Sequence, residues 1–377
     1  MAKLGDICTV VSGSTPKTTV PEYWNGNINW ITPAEIDDST IIIKSSQRKI
    51  TPAGVKSCGL TSFPTGTVIL SSRAPIGKTA IAGTEMYCNQ GFKNLICGEQ
   101  IYNKYLFWFL RNNTQYLQSL GRGATFKEIS KAIVENIDIP LPPLPEQRHI
   151  AAVLDKVSEL IALRKKQLAL LDEMVKARFM EMFGDPVRNE KSYPVKHLSD
   201  VAEYWNGLTY KPEDVSEKGI IVLRSSNIQN FKLDYSDIVR VSCKISQKKY
   251  VQAHDILMCS RNGSAKLVGK VALIDNINEP MSFGAFMMII RSNLYSYLHT
   301  YFQLPAFRLQ ITTGATTTIN QITTNMLNKI ALPVPDEESI NQFADFVQQV
   351  DKSIATVQQG LDRLNLLKSA LMQEYFG

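Results

Sequence analysis

From residue 146 to residue 183 the chain contains neither proline nor glycine. Its apolar positions there, Ile150, Leu154, Val157, Ile161, Leu168, Leu171 and Val175, fall at alternating steps of four and three. That is the 3.5-residue period of a coiled-coil seam. The run follows Leu141-Pro142-Pro143-Leu144-Pro145, which cannot continue a helix. The same seam returns 193 residues later as Phe343, Val347, Val350, Ile354, Val357, Leu361, Leu364 and Leu371. Arg164 and Lys368 interrupt one copy each, where the other copy has Val357 and Val175. Thirty-eight helical residues make a rod of roughly 57 Å at about 1.5 Å per residue. Each stripe is the other's obvious partner, so the pattern predicts two long antiparallel helices about a pseudo-two-fold axis, with a globular domain at each end.

The segments between the helices also repeat. Leu4-Gly5-Asp6-Ile7 through Ser12-Gly13 returns as Leu198-Ser199-Asp200-Val201 through Asn206-Gly207. Gly123-Ala124-Thr125 returns as Gly314-Ala315-Thr316, Ile139-Pro140-Leu141-Pro142 as Leu332-Pro333-Val334-Pro335, and Met182-Phe183-Gly184 as Tyr375-Phe376-Gly377. A period this long is a duplicated domain, because solenoid units run to about 20–50 residues. Short β-branched runs predict strands at 67–70 and 255–258 and further buried strands at 41–43 and 287–290, separated by Gly, Pro and Asn turns. Residues 105–120 and 297–311 read as helices. The fold class is α+β, with boundaries at 1–145 (first domain), 146–183 (first long helix), 184–335 (second domain) and 336–377 (second long helix).

Charge refines this division. Residues 1–145 carry 14 basic and 10 acidic side chains, and residues 184–335 carry 17 and 12. The helical segments carry 7 against 6 and 3 against 7, so the positive surplus sits in the two domains, as a polyanionic partner requires. No apolar stretch approaches the roughly 20 residues of a membrane span, and no secretory signal is visible. The six cysteines show no CxxC and no zinc-ligand spacing, and read as scattered reduced thiols of a cytosolic protein.

Catalytic patterns are missing. Ala74-Pro75-Ile76-Gly77-Lys78-Thr79 ends like a phosphate-binding loop, but Ser72 stands at the required first glycine. No GxGxxG, HExxH or GxSxG appears, and the four histidines are isolated. No metal or cofactor site is expected in this chain.

What does recur is a basic, turn-rich hairpin. Leu70-Ser71-Ser72-Arg73 through Gly77-Lys78 is echoed by Met258-Cys259-Ser260-Arg261 through Lys266 and Gly269-Lys270. Arginine can bond guanine bidentately in a major groove, and lysine and serine suit phosphates. The same residues also suit an ordinary solvated hairpin. A second candidate loop holds Thr32, echoed by Arg224-Ser225-Ser226. A third holds Arg122, Thr125 and Lys127, echoed by Thr316, whose loops could grip phosphate or simply lead into a helix.

In this order and repeated, these motifs resemble the specificity subunit of type I restriction-modification systems across essentially the whole chain. The carrying residues are Leu4-Gly5-Asp6-Ile7, Ser12-Gly13-Ser14-Thr15-Pro16, Ser72-Arg73, Ile76-Gly77-Lys78, Asn89-Gln90-Gly91, Ala124-Thr125-Phe126-Lys127-Glu128-Ile129 and Ile139-Pro140-Leu141-Pro142-Pro143-Leu144-Pro145-Glu146-Gln147. The second copy lacks the Glu-Gln pair after its prolines, and Ser282-Phe283-Gly284 stands for Asn89-Gln90-Gly91.

The resemblance implies two target-recognition domains that each read half of a bipartite double-stranded DNA site. It adds Gln90 to the DNA-binding candidates Thr32, Arg73, Lys78, Arg122, Thr125, Lys127, Arg224, Ser226, Arg261, Lys266, Lys270 and Thr316. The helices would set the gap and dock two methyltransferase subunits through Leu154, Val157, Ile161, Leu168, Val175, Val347, Val350, Ile354, Leu361 and Leu371. Two restriction-translocase subunits could join in the cytoplasm of a bacterium or archaeon. S-adenosylmethionine, ATP and magnesium would belong to those partners, and the chain would be no enzyme by itself. The competing expectation is a coiled-coil scaffold that binds proteins only.

Overall fold

Two helices of 40 residues, Leu144–Phe183 and Glu337–Phe376, each follow a proline-rich strand end. The computed structural model describes the whole chain except Asp38, residues 124–126, Asn276 and residues 313–319. Contacts gather it into two units, Met1–Lys165 with Gln359–Gly377, and Lys166–Gln358, so each long helix contributes to both.

The seam positions are the covered ones. Leu154, Val157, Ile161, Val350, Val357 and Leu361 are buried, and Leu168, Val175, Val347, Ile354 and Leu371 are half-buried. In the first unit Ile150, Ala151 and Leu154 share one core with Met372 and Phe376. In the second, Phe179 and Phe183 share one with Ile340 and Phe343. The N-terminal part of one helix thus meets the C-terminal part of the other within each unit, an antiparallel order. The polar interruptions are accommodated locally. A Cβ at Gly360 would lie 3.8 Å from the Arg164 Nε. The Lys368 ammonium sits 4.7 Å from the centre of the Trp108 ring, where burial lowers its pKa.

The repeated helix ending acquires a reason here. Phe376 packs on Tyr105 and Phe109 at 5.3 and 5.9 Å between ring centres. Phe183 packs on Tyr297 at 5.1 Å. Tyr105 and Tyr297 in turn donate their hydroxyls to the carbonyls of Pro140 and Pro333, at 2.8 and 2.6 Å. Gln147, fully buried, closes the turn before the first helix. Its amide nitrogen donates to Gln100 and Pro142 carbonyls, and its oxygen accepts from the Tyr102 amide.

Both units build the same strand plan. In the first, Cys8–Ser12, Lys93–Cys97, Val68–Leu70 and Thr79–Ala82 are neighbours in that order, antiparallel, with Ile42–Ile43 added in parallel at the edge. In the second, Glu203–Asn206, Met287–Arg291, Ile256–Cys259 and Val271–Leu273 repeat the four antiparallel strands. A smaller sheet accompanies each: Lys49–Ile50, Trp24–Ile31 and Tyr87–Cys88, against Arg240–Val241, Val215–Leu223 and Met281–Phe283.

Three sequence expectations need correction. Residues 105–120 are two helices, Asn103–Asn112 and Thr114–Ser119, broken at Asn113. Residues 297–311 are also two, Tyr295–Tyr301 and Pro305–Thr312, because Pro305 can begin a helix but not continue one. The run at 41–43 is only an edge strand, with Ile42 49% exposed.

Candidate nucleic-acid interface

In the first unit four separate loops converge around the Asn89-Gln90-Gly91 turn. Gly13 lies so close to the Cys88 and Asn89 carbonyls that a Cβ would sit 2.1 and 2.3 Å from them. This packs the Ser12–Pro16 loop against Asn89-Gln90-Gly91, where the Thr15 hydroxyl donates to the exposed Gln90 side chain. The hairpin between Val68–Leu70 and Thr79–Ala82 reaches the same turn, as the Ser72 amide donates to the Gly91 carbonyl at 2.7 Å. Lys78 crosses to the loop after Trp24–Ile31, donating to the Pro33 carbonyl at 2.9 Å. Thr32 caps that loop, with its amide and hydroxyl both on Glu35 Oε1 at 2.8 and 3.1 Å.

The fourth loop joins through Glu128. The Ile129 amide donates to the Ser72 carbonyl at 3.0 Å, and Glu128 bridges Arg122 through paired backbone bonds of 3.0 Å. The Glu128 carboxylate takes the nearly buried Lys93 ammonium at 3.1 Å and the Arg73 guanidinium at 3.8 Å. Two cations on one carboxylate leave the patch positive. Arg122 and Lys127 are exposed and pair with no described carboxylate. Thr125 lies outside the described residues.

The second unit assembles the same four loops. A Cβ at Gly207 would lie 2.2 Å from the carbonyls of both Phe283 and Gly284. Ser260 and Arg261 donate their amides to the Phe286 carbonyl at 2.9 and 3.1 Å, and the Ile322 amide donates to the Ser260 carbonyl at 2.7 Å. Asn262 reaches the Ser225 hydroxyl at 3.2 Å, tying hairpin to loop as Lys78 does. The register therefore sets Asn89-Gln90-Gly91 against Gly284-Ala285-Phe286, two residues on from the alignment that the sequence suggests. The Arg224 amide bonds Asn227 Oδ1 at 2.8 Å in the place of the Thr32–Glu35 bond.

The side chains are not equally available. Arg224 is held by the Asp237 carboxylate at 2.8 Å and its carbonyl at 3.3 Å. The Ser226 hydroxyl is enclosed with no hydrogen-bond partner among the described residues. Arg261 is exposed, its guanidinium 5.4 Å from the centre of the Phe286 ring. Lys266 is exposed and Lys270 half-buried, and neither meets a described carboxylate. Thr316 lies outside the described residues.

The sequence profile of the type I restriction modification DNA specificity domain matches residues 1–173 and again 190–366. The chain belongs to the type I restriction-modification DNA specificity family. Family membership makes DNA sequence specificity its function, and nothing in the comparisons supports a protein-only scaffold. It is 28% identical over 396 residues to the type I restriction enzyme MjaIX specificity subunit of Methanocaldococcus jannaschii, covering 98% of this chain and 90% of that protein. It is 24% identical over 338 residues to the EcoKI specificity subunit of Escherichia coli K12, covering 81% and 72%. A solved S subunit of a type I restriction-modification system from M. genitalium shares the fold at a TM-score of 0.59 and 13% identity, covering 100% of this chain and 95% of its own. A chain from a structural study of complex assembly and conformational transition of the type I R-M system matches at 0.62 and 19%, covering 100% and 96%.

Other cations of this specificity chain stand beside the loops without having been marked in the sequence. Arg48 stacks on Trp24 at 3.9 Å and Lys248 on Trp205 at 5.0 Å from the ring centres. Lys249 donates to the Gly207 carbonyl at 3.0 Å, and desolvation lowers its pKa. Arg308 lies under Gly269 of the hairpin, 3.3 Å from a Cβ placed there, and its half-burial lowers its pKa. The sequence offered no signal for them: Arg48 and Lys248 lie 24 and 43 residues from their ring partners, and Arg308 meets the hairpin only in the fold. No group of three or more metal-ligating side chains occurs among the described residues. No helix among them is long and apolar enough to cross a membrane.

Proposed function

We propose that each domain reads one half of a bipartite double-stranded DNA site through its four converging loops, while the paired helices set the gap between the half-sites. The carrying observation is that both units close the same loops by the same backbone bonds yet arm them with different side chains: Thr32 against Arg224, Lys78 against Asn262 across the hairpin, Gly91 against Phe286. A shared scaffold with divergent tips suits two related readings of different sequences. Phosphate contacts from Arg122, Lys127, Arg261 and Lys266 would fix register, and Arg73, near a hairpin tip, would meet base edges.

On this reading two methyltransferase subunits dock on the helices, and two restriction-translocase subunits complete the enzyme on cytoplasmic DNA. S-adenosylmethionine, ATP and magnesium belong to those partners, and this chain supplies no cofactor. Co-expression with the methyltransferase subunit, followed by mapping of adenine methylation, tests the proposal. Two short half-sites around a fixed gap are expected. A stable complex that leaves DNA unmethylated, or methylates one undivided sequence, contradicts it.

A further inference from the structure

In the first unit Cys8 and Cys97 stand directly opposite each other on antiparallel strands. The Gly98 amide donates to the Ile7 carbonyl at 2.9 Å, which makes the neighbouring pair, Ile7 and Gly98, the hydrogen-bonded one. Alternation along the ladder leaves Cys8 and Cys97 as a non-hydrogen-bonded pair, whose Cα atoms approach to about 4.5 Å with side chains at their closest. Disulfides span Cα separations of about 4.4–6.8 Å, so this pair lies at the short end of the range. The facing thiols perturb each other, Cys97 lowering the Cys8 pKa and Cys8 raising that of Cys97. Both residues line a 440 Å³ groove formed by residues 5–9 and 96–100.

The fold does not require the pair. Thr9 opposite Ile96 corresponds in register to Glu203 opposite Arg291. One step outward, the second unit has Ala202 and Ser292 where the first has its two thiols. No other described cysteine faces a cysteine across paired strands: Cys88 stands opposite Ile31 and Cys259 opposite Met287.

We propose that Cys8 and Cys97 are a redox-active dithiol that closes to an intrachain disulfide by exchange with a low-molecular-weight disulfide. The Cys8 thiolate attacks one sulfur of the oxidant, forming a mixed disulfide and releasing one thiol. The Cys97 sulfur, losing its proton, then displaces the second thiol. Two protein thiols are oxidised, one small disulfide is reduced to two thiols, and both protons leave with them. The closed form staples together the segment 8–97, which carries Thr32, Arg73, Lys78 and Gln90 of the loop cluster. The proposal is independent of the DNA reading.

The test uses the folded full-length chain equilibrated with oxidised glutathione, alkylated, and digested with trypsin without reduction. The expected product is peptide 4–17 linked to peptide 94–104, with the four other cysteines alkylated and all six recovered after reduced glutathione is added. The link is expected to vanish in both Cys8→Ser and Cys97→Ser. Alkylation of all six thiols overturns the proposal, as does a glutathione adduct on Cys8 that Cys97 fails to displace.

Discussion

Replacing Arg261 and Lys266 together with alanine should weaken DNA binding while leaving the fold intact. Both side chains are exposed, and the hairpin that carries them is held by backbone bonds that the substitutions keep, from Arg261 to Phe286 at 3.1 Å and from Ile322 to Ser260 at 2.7 Å. The structural loss is one exposed contact of the guanidinium with Phe286, worth about 0.5–1 kcal/mol. The loss in binding is larger. Each phosphate neutralised contributes about 0.9 to the slope of log affinity against log salt, which at about 0.15 M amounts to roughly 1 kcal/mol per contact. Two lost contacts lower the slope by about 1.8 and the affinity by roughly 30-fold. The assay is fluorescence anisotropy of a duplex titrated with the assembled methyltransferase complex across a salt series, beside a thermal melt of each protein. An unchanged slope with affinity within twofold, from a variant that melts like the parent, would refute the placement of these cations on phosphate.

Three further outcomes follow from packing and titration. Phe183→Ala removes a ring that packs on Phe179, Tyr297 and Phe343 at 5.0, 5.1 and 5.3 Å, and should cost the second unit about 3–5 kcal/mol in denaturant unfolding. A loss below about 1 kcal/mol would show that the helix end is not anchored there. Leu168→Asp and Ile354→Asp each place an unpaired charge in the seam and should lower the melting temperature and abolish co-purification with the methyltransferase; normal assembly of both variants would contradict helix pairing. Burial lowers the His299 pKa from 6.5 to about 4, so between those values the unfolded chain binds the extra proton and stability falls as the pH drops. His299→Gln should flatten that part of the stability–pH curve, and an unaltered slope would assign it to other groups.

The local patterns in the chain were legible because they rest on neighbours in sequence. The seam positions follow from a 3.5-residue period, the hairpins from β-branched runs around Gly and Pro, and the duplication from motif order. What stayed hidden depends on partners far away in the chain. Nothing near Arg73 announces that Glu128 will share its carboxylate between Arg73 and Lys93, or that Asp237 will hold Arg224. Motif alignment set Ser282-Phe283-Gly284 against Asn89-Gln90-Gly91, whereas the close approach of Gly13 and Gly207 to their neighbouring strands fixes a register two residues further on. The paired helix endings were visible as a repeat, but their purpose emerged only when Phe183 and Phe376 were found on Tyr297 and Tyr105.

The central claim is that two domains read two separate half-sites. Its most direct test is the methylation motif of cells carrying Arg122→Ala and, separately, Arg261→Ala, each beside the parent chain and the same methyltransferase. The account expects each variant to weaken or relax one half of the motif, a different half in each, with the gap and the other half retained. Changes confined to the same half in both variants, or a gap that shifts with either, would contradict it.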